Sequence, residues 1–152
     1  MIDSAEKKHT RVVNILLIEN DPEDAVLIQK AFALGAITNK IHRVQTERQA
    51  LSFLKQEGSY KEVPRPDMII LDFDSPRHSG KEILELIKTA PQLLAIPVIV
   101  IASSPNSNAI RESYKLHVNC VIEKPFKVRE FLEVVKAIDH FWTEVVVLTE
   151  EA

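Results

Sequence analysis

Five times along this chain a short apolar run rich in β-branched residues is followed by a stretch of helical periodicity, and this alternation leaves few architectures open. Strands separated by helix-length segments must cross over to become neighbours, which makes them parallel in one sheet with helices on its faces. Strands are expected near 12–19, 40–45, 67–72, 96–101 and 118–122. The third and fourth are continuous apolar runs, as strands covered on both faces require. The second is less apolar and reads as an edge. The expected fold is an α/β domain of the (βα)5 type.

Helix starts are marked by capping chemistry. Asp21-Pro22-Glu23-Asp24 places a cap before a proline and acids in the first turn, while Thr46-Glu47-Arg48-Gln49 and Ser79-Gly80-Lys81-Glu82 have the capping-box pattern. Ser104-Pro105 opens the fourth helix. Ala50, Phe53 and Leu54 give the second helix its buried face, and Ile83, Leu86, Ile87 and Ala90 the third. The fifth helix carries two apolar stripes. One comprises Val128, Phe131, Leu132, Val135, Ile138 and Trp142, the other Val134, Ala137 and Phe141. After it, Thr143 to Leu148 is too apolar to be left in water. It is expected to pack on its own domain or on another copy of the chain, and the second is favoured, with Val134, Phe141, Trp142, Val145 and Val147 at that contact. The domain plan is a leader over 1–11, one folded domain over 12–142 and an apolar arm over 143–152.

The 152 residues, 45% hydrophobic and 27% charged, suffice for one domain with a real core. A net charge of −3 offers no field for a phosphate backbone, so a nucleic-acid partner is not expected. One cysteine, Cys120, excludes an intrachain disulfide and a cysteine zinc site. No apolar run is long enough to span a membrane or serve as a signal peptide. A cytoplasmic protein is expected. The five histidines, at 9, 42, 78, 117 and 140, lack metal spacing. The three glycines, at 35, 58 and 80, form no Gly-rich phosphate loop.

Polar groups gather where the runs end. Asp72 closes Met68-Ile69-Ile70-Leu71, Glu19-Asn20-Asp21 follows Ile18, and Glu123-Lys124-Pro125 follows Ile122. The C-terminal ends of parallel strands share one crevice, the usual binding place of such sheets. Phosphoryl transfer to a carboxylate needs a divalent cation and a fixed positive side chain, because an anion must otherwise attack an anion. Magnesium prefers oxygen donors and keeps several waters, so Glu19, Asp72 and a backbone carbonyl near Asp74 would make a partial shell. Lys124 would neutralise a phosphoryl oxygen. Taken singly, each feature also has a plainer reading as a helix entrance, a strand end or a turn.

This set resembles the receiver domain of two-component response regulators, over about Val12 to Trp142. Within that family the chain is most similar to the single-domain regulators associated with cyanobacterial phytochromes, judged by LLIENDPEDA, PRPDMIILDFDSP, IPVIVIASS, YKLHVNC and the terminal FWTEVVVL. The resemblance implies a flavodoxin-like, doubly wound five-stranded sheet in the order 2-1-3-4-5. It makes Asp72 the phosphoacceptor, Glu19 and Asn20 the acidic pair, the Asp74 carbonyl a magnesium ligand and Lys124 the phosphoryl-binding lysine, with a cis bond before Pro125. A histidine kinase, phytochrome-like, is the implied partner, docking near the first helix at Ala25 to Phe32. Dimerisation is implied through the fourth and fifth helices and the arm.

Three positions depart from the family pattern. Asn20 stands for a carboxylate and removes a negative charge from the cation site, unless Asp21 turns inward to compensate. Ala102 stands for the switch serine or threonine, leaving only neighbouring Ser103 to offer a hydroxyl. Val121 stands for the usual aromatic of the fifth strand. The expected function is a phosphoacceptor signalling protein, self-phosphorylating from a phosphodonor at most and otherwise not an enzyme. The alternative is a phosphorylation-independent dimeric docking module on the same fold. Asp72-Phe73-Asp74-Ser75 also resembles the opening motif of haloacid-dehalogenase-type phosphatases, but on the wrong strand for that fold.

Overall fold

A computed structural model describes residues 12–35, 38–73, 80–103, 120–124 and 128–140, without the side chains at 103, 120, 124, 130 and 138–140. Its elements follow in the order β1 (Val13–Ile18), α1 (Pro22–Ala33), β2 (Asn39–Val44), α2 (Glu47–Lys55), a 3-10 turn (Gly58–Tyr60), β3 (Met68–Asp72), α3 (Gly80–Thr89), β4 (Val98–Ser103), β5 (Cys120–Lys124) and α4 (Val128–His140). α4 is the fifth helix of the sequence reading. The expected fourth helix, the 1–11 leader, Asp74, Ser79, Pro125, Phe141, Trp142, Val145, Val147 and the rest of the 143–152 arm lie outside the described residues.

All strand pairs are parallel, in the order β2-β1-β3-β4-β5. Side chains of successive strand residues point to opposite faces, and the sheet divides its core accordingly. Leu16, Ile18, Ile69, Leu71, Val98, Val100 and Ala102 pack with Ala50 and Phe53 of α2 and with Ile83, Leu84 and Ile87 of α3. Val13, Ile15, Leu17, Met68, Ile70, Ile99 and Ile101 pack on the other side with α1 and α4. There the Phe32 and Phe131 rings meet edge to face at 6.2 Å.

Two of the expected caps, those at Asp21 and Thr46, form. The Asp21 side chain accepts from the Glu23 N–H at 2.9 Å ahead of Pro22, and Thr46 and Gln49 close a reciprocal capping box. β2 is an edge strand, as its mixed composition implied. His42 on β2 donates from Nε2 to Asn14 Oδ1 at 3.0 Å, and its ring lies 5.4 Å from that of Phe53. Burial, reinforced by the nearby Lys40 charge, lowers the His42 pKa below its ordinary 6.5.

Two strands end two residues beyond their expected places, at 103 against 101 and at 124 against 122. β4 runs over Val98–Ser103, displaced toward the C-terminus relative to 96–101, and β5, over Cys120–Lys124, continues past the expected end at 122, while 118 and 119 lie outside the described residues. Ile96 is buried like a strand residue but precedes Pro97, which has no N–H for the ladder. At the far end Ala102 pairs with Glu123 and Ser103 with Lys124. The polar residues read as following the strands are thus their last rungs.

Candidate functional site

β1 and β3 are neighbours in the sheet, with Ile18 opposite Leu71. One rung further, Glu19 comes opposite Asp72. Strand-like bonding continues at this level, since the Glu19 N–H donates to the Val44 carbonyl at 3.1 Å and the Phe73 N–H to the Ile101 carbonyl at 2.8 Å. Adjacent strands lie about 4.8 Å apart, so the two carboxylates belong to one crevice. Glu19 is 0% exposed and Asp72 4%, and no other polar or charged residue is buried among the described residues. Buried carboxylates without a functional reason are rare, because taking a charge out of water is costly.

The loop after β1 is tied at several points. Glu19 Oε2 accepts the Asp21 N–H at 3.2 Å, while Oε1 is buried without a hydrogen bond among the described residues. Arg43, at the end of β2, donates from Nε to the Glu19 carbonyl at 3.0 Å and from Nη2 to the Asn20 carbonyl at 3.1 Å. Asn20 is half-buried, and Asp21 is exposed and engaged as the cap of α1. The Asp21 carboxylate therefore serves the helix and does not stand in for the charge missing at Asn20.

On the other side of Asp72, α3 begins hard against the strand end. A Cβ added to Gly80 would lie 2.7 Å from the Phe73 Cα and 2.8 Å from its carbonyl oxygen. Only glycine lets the helix start this close to the residue that follows Asp72. Ala102 is fully buried on β4, in the core shared with α2 and α3, and Val121 is half-buried against the same core. Lys124 ends β5 opposite Ser103, at the same rim of the sheet.

Sequence reasoning thus assembled Glu19, Asn20, Asp72, Ala102, Ser103 and Lys124 at one end of the sheet, and the topology brings their backbones there. It missed Arg43 and the clearance role of Gly80. Neither carries a local signal: Arg43 reads as a solvated strand residue, and Gly80 as part of a capping box.

The donor chemistry suits a hard cation. Among the described residues no group of three or more His, Cys, Asp or Glu side chains is arranged to hold a metal. Two carboxylates completed by water and a backbone carbonyl are instead the kind of set magnesium takes.

Comparison with known proteins gives this arrangement a family. The response regulator receiver domain profile matches residues 15–136. Response regulator Rcp1 of Synechocystis sp. is 37% identical over 134 residues, covering 88% of this chain and 91% of Rcp1. The solved structure of the phosphorylated cyanobacterial phytochrome response regulator RcpA is 37% identical with a TM-score of 0.82, covering 92% of this chain and 100% of that one. The manganese-bound form of Rcp1 is 36% identical with a TM-score of 0.79, covering 91% and 99%. With its five-stranded 2-1-3-4-5 sheet and its pair of buried carboxylates, the chain belongs to the response regulator receiver domain family of two-component signalling.

Proposed function

We propose that the chain accepts a phosphoryl group on Asp72 from the phosphohistidine of a phytochrome-like histidine kinase. The observation that carries this reading is the pairing of Glu19 and Asp72, buried side by side at the ends of β1 and β3. In the transfer an Asp72 oxygen forms a bond to phosphorus as the bond from phosphorus to the imidazole nitrogen breaks, and the imidazole leaves with the electron pair. Glu19, Asp72 and the Asp74 carbonyl would hold Mg2+, with Asn20 offering at most a neutral oxygen. The cation supplies positive charge that offsets the carboxylates and the incoming phosphoryl group. Lys124 contributes a second positive charge at the rim. Similarity to proteins solved in phosphorylated and manganese-bound forms supports both parts.

The kinase docks on α1. Ala25, Ile28, Ala31 and Phe32 of the expected stretch face the core, so the available surface is the one that Val26 and Leu27 form with Pro22 and Glu23 beside the crevice. A cytoplasmic homodimer, joined through the fourth helix of the sequence reading, α4 and the arm, completes the proposal. Val134 is half-buried on α4 and Ala137 exposed, consistent with a second apolar face on that helix. Among the described residues no helix is long and apolar enough to cross a membrane.

The test is intact-mass measurement after incubation with Mg2+ and a small-molecule phosphodonor, beside Asp72→Asn. One phosphoryl adduct is expected on the unmodified chain and none on the variant. Absence of an adduct both with the small donor and with a phosphorylated histidine kinase domain would favour a docking module that works without phosphorylation, a reading that Asn20 and the buried methyl of Ala102 keep open.

A further inference from the structure

We infer that Arg43 is a positioning residue for the cation site, setting the direction of the Glu19 carboxylate through a single peptide group. This rests on the reading of Glu19 and Asp72 as cation-holding carboxylates. Arg43 stands on β2 opposite Leu17, and its guanidinium grips two successive carbonyls, those of Glu19 at 3.0 Å and Asn20 at 3.1 Å. In a planar trans peptide the C=O and the N–H point in opposite directions. An Asn20 carbonyl drawn toward the guanidinium therefore turns the Asp21 N–H the other way, and that N–H donates to Glu19 Oε2 at 3.2 Å.

A continuous path thus leads from a permanent positive charge, across the Asn20–Asp21 peptide group, to a buried carboxylate oxygen. A charged donor on the carbonyl makes a stronger hydrogen bond than a neutral one and polarises the peptide, improving its N–H as a donor. This help matters at 3.2 Å, the long end of the normal range. The planar fork of arginine suits a grip on two oxygens, whereas a lysine ammonium is a point charge.

The neutral Asn20 raises the importance of this arrangement. With one carboxylate fewer than the family pattern, the site depends more heavily on the two it has, and on Glu19 staying where a cation can use it. Loss of Arg43 has two opposed effects. Removing a nearby positive charge would tighten cation binding, and releasing the Glu19 carboxylate would loosen it. The geometry points to the second as the larger, on the order of ten-fold, the lower end of what groups orienting metal ligands contribute.

The experiment follows Mn2+ binding to the full chain by electron paramagnetic resonance, and the Asp21 amide proton by NMR without metal, for the unmodified protein, Arg43→Met and Arg43→Lys. Arg43→Met is expected to bind Mn2+ roughly ten-fold more weakly and to move the Asp21 amide proton upfield as its hydrogen bond weakens. Arg43→Lys, which keeps the charge and loses the fork, is expected to fall between the two and provides the answer should Arg43→Met not fold. Unchanged or tighter Mn2+ binding by Arg43→Met overturns the inference, and so does an Arg43→Lys protein that matches the unmodified one. If the unmodified chain takes up no Mn2+, or Glu19→Gln binds it equally well, the cation reading itself fails, and that failure is visible without any change at Arg43.

Discussion

His42 illustrates how a single side chain far from the chemistry makes the fold sensitive to pH. It is held between the Asn14 side chain and the Phe53 ring, with burial the larger and Lys40 the smaller cause of its lowered pKa. A group whose pKa is lower in the folded than in the unfolded chain leaves the unfolded chain binding more protons over the interval between the two values. Stability should therefore hold above the ordinary value of 6.5 and decline as pH falls from there toward the folded value. Urea unfolding across that interval, compared with His42→Gln, checks this: the variant is expected to show a shallower decline, and equal slopes would remove His42 as the cause. The residues of the crevice obey different constraints. Glu19 and Asp72 are buried charges whose position is explained by what they are read to bind, whereas Ala102 is simply a core methyl where the family pattern has a hydroxyl.

Among the elements, the seating of α3 against the end of β3 is the closest fit near Asp72. Gly80→Ala would press a Cβ into the Phe73 backbone, and neither partner is the far end of a flexible side chain. A loss of about 1–3 kcal/mol is expected, read by urea unfolding, together with slower phosphoryl labelling of Asp72 as the segment beside it is displaced. Unchanged stability would mean that the helix start can shift at little cost. Much at this scale was legible in the sequence because it is local: Asp21 and Thr46 announce their helices, and the unbroken run Met68 to Leu71 announces a strand covered on both sides. The ends of β4 and β5 were not legible, since Ala102 and Ser103 join the sheet by pairing with Glu123 and Lys124, residues distant in sequence. Leu84 went unread as core for a related reason. α3 presents a broader buried face than the stripe Ile83, Leu86, Ile87 and Ala90, with Leu84 fully buried and Leu86 only half. Arg43 becomes a clamp only once β2 lies beside β1, a juxtaposition that no local pattern contains.

Across the whole molecule, the site is a property of topology: the carboxylate that follows β1 and the one that ends β3 reach one rim because these two strands are neighbours at the point where the strand order reverses. The arrangement of copies should be governed by the other end of the chain. Phe141→Glu, or removal of residues 145–152, is expected to give a monomer by light scattering under conditions where the unmodified protein is a dimer, and an unchanged mass would place the interface elsewhere. The sheet bears on the same question through its outer rim at β2. An edge strand offers unpaired backbone groups on which another chain can extend the ladder, and charged side chains are a common defence against that. β2 carries Lys40 and Arg43, and at acidic pH His42 adds a third cation to the same strand. Two β2 strands brought edge to edge would set these charges against one another, so the molecule is discouraged from growing into a continuous sheet and fibre-like stacking is disfavoured most strongly at low pH, where the fold itself is weakest.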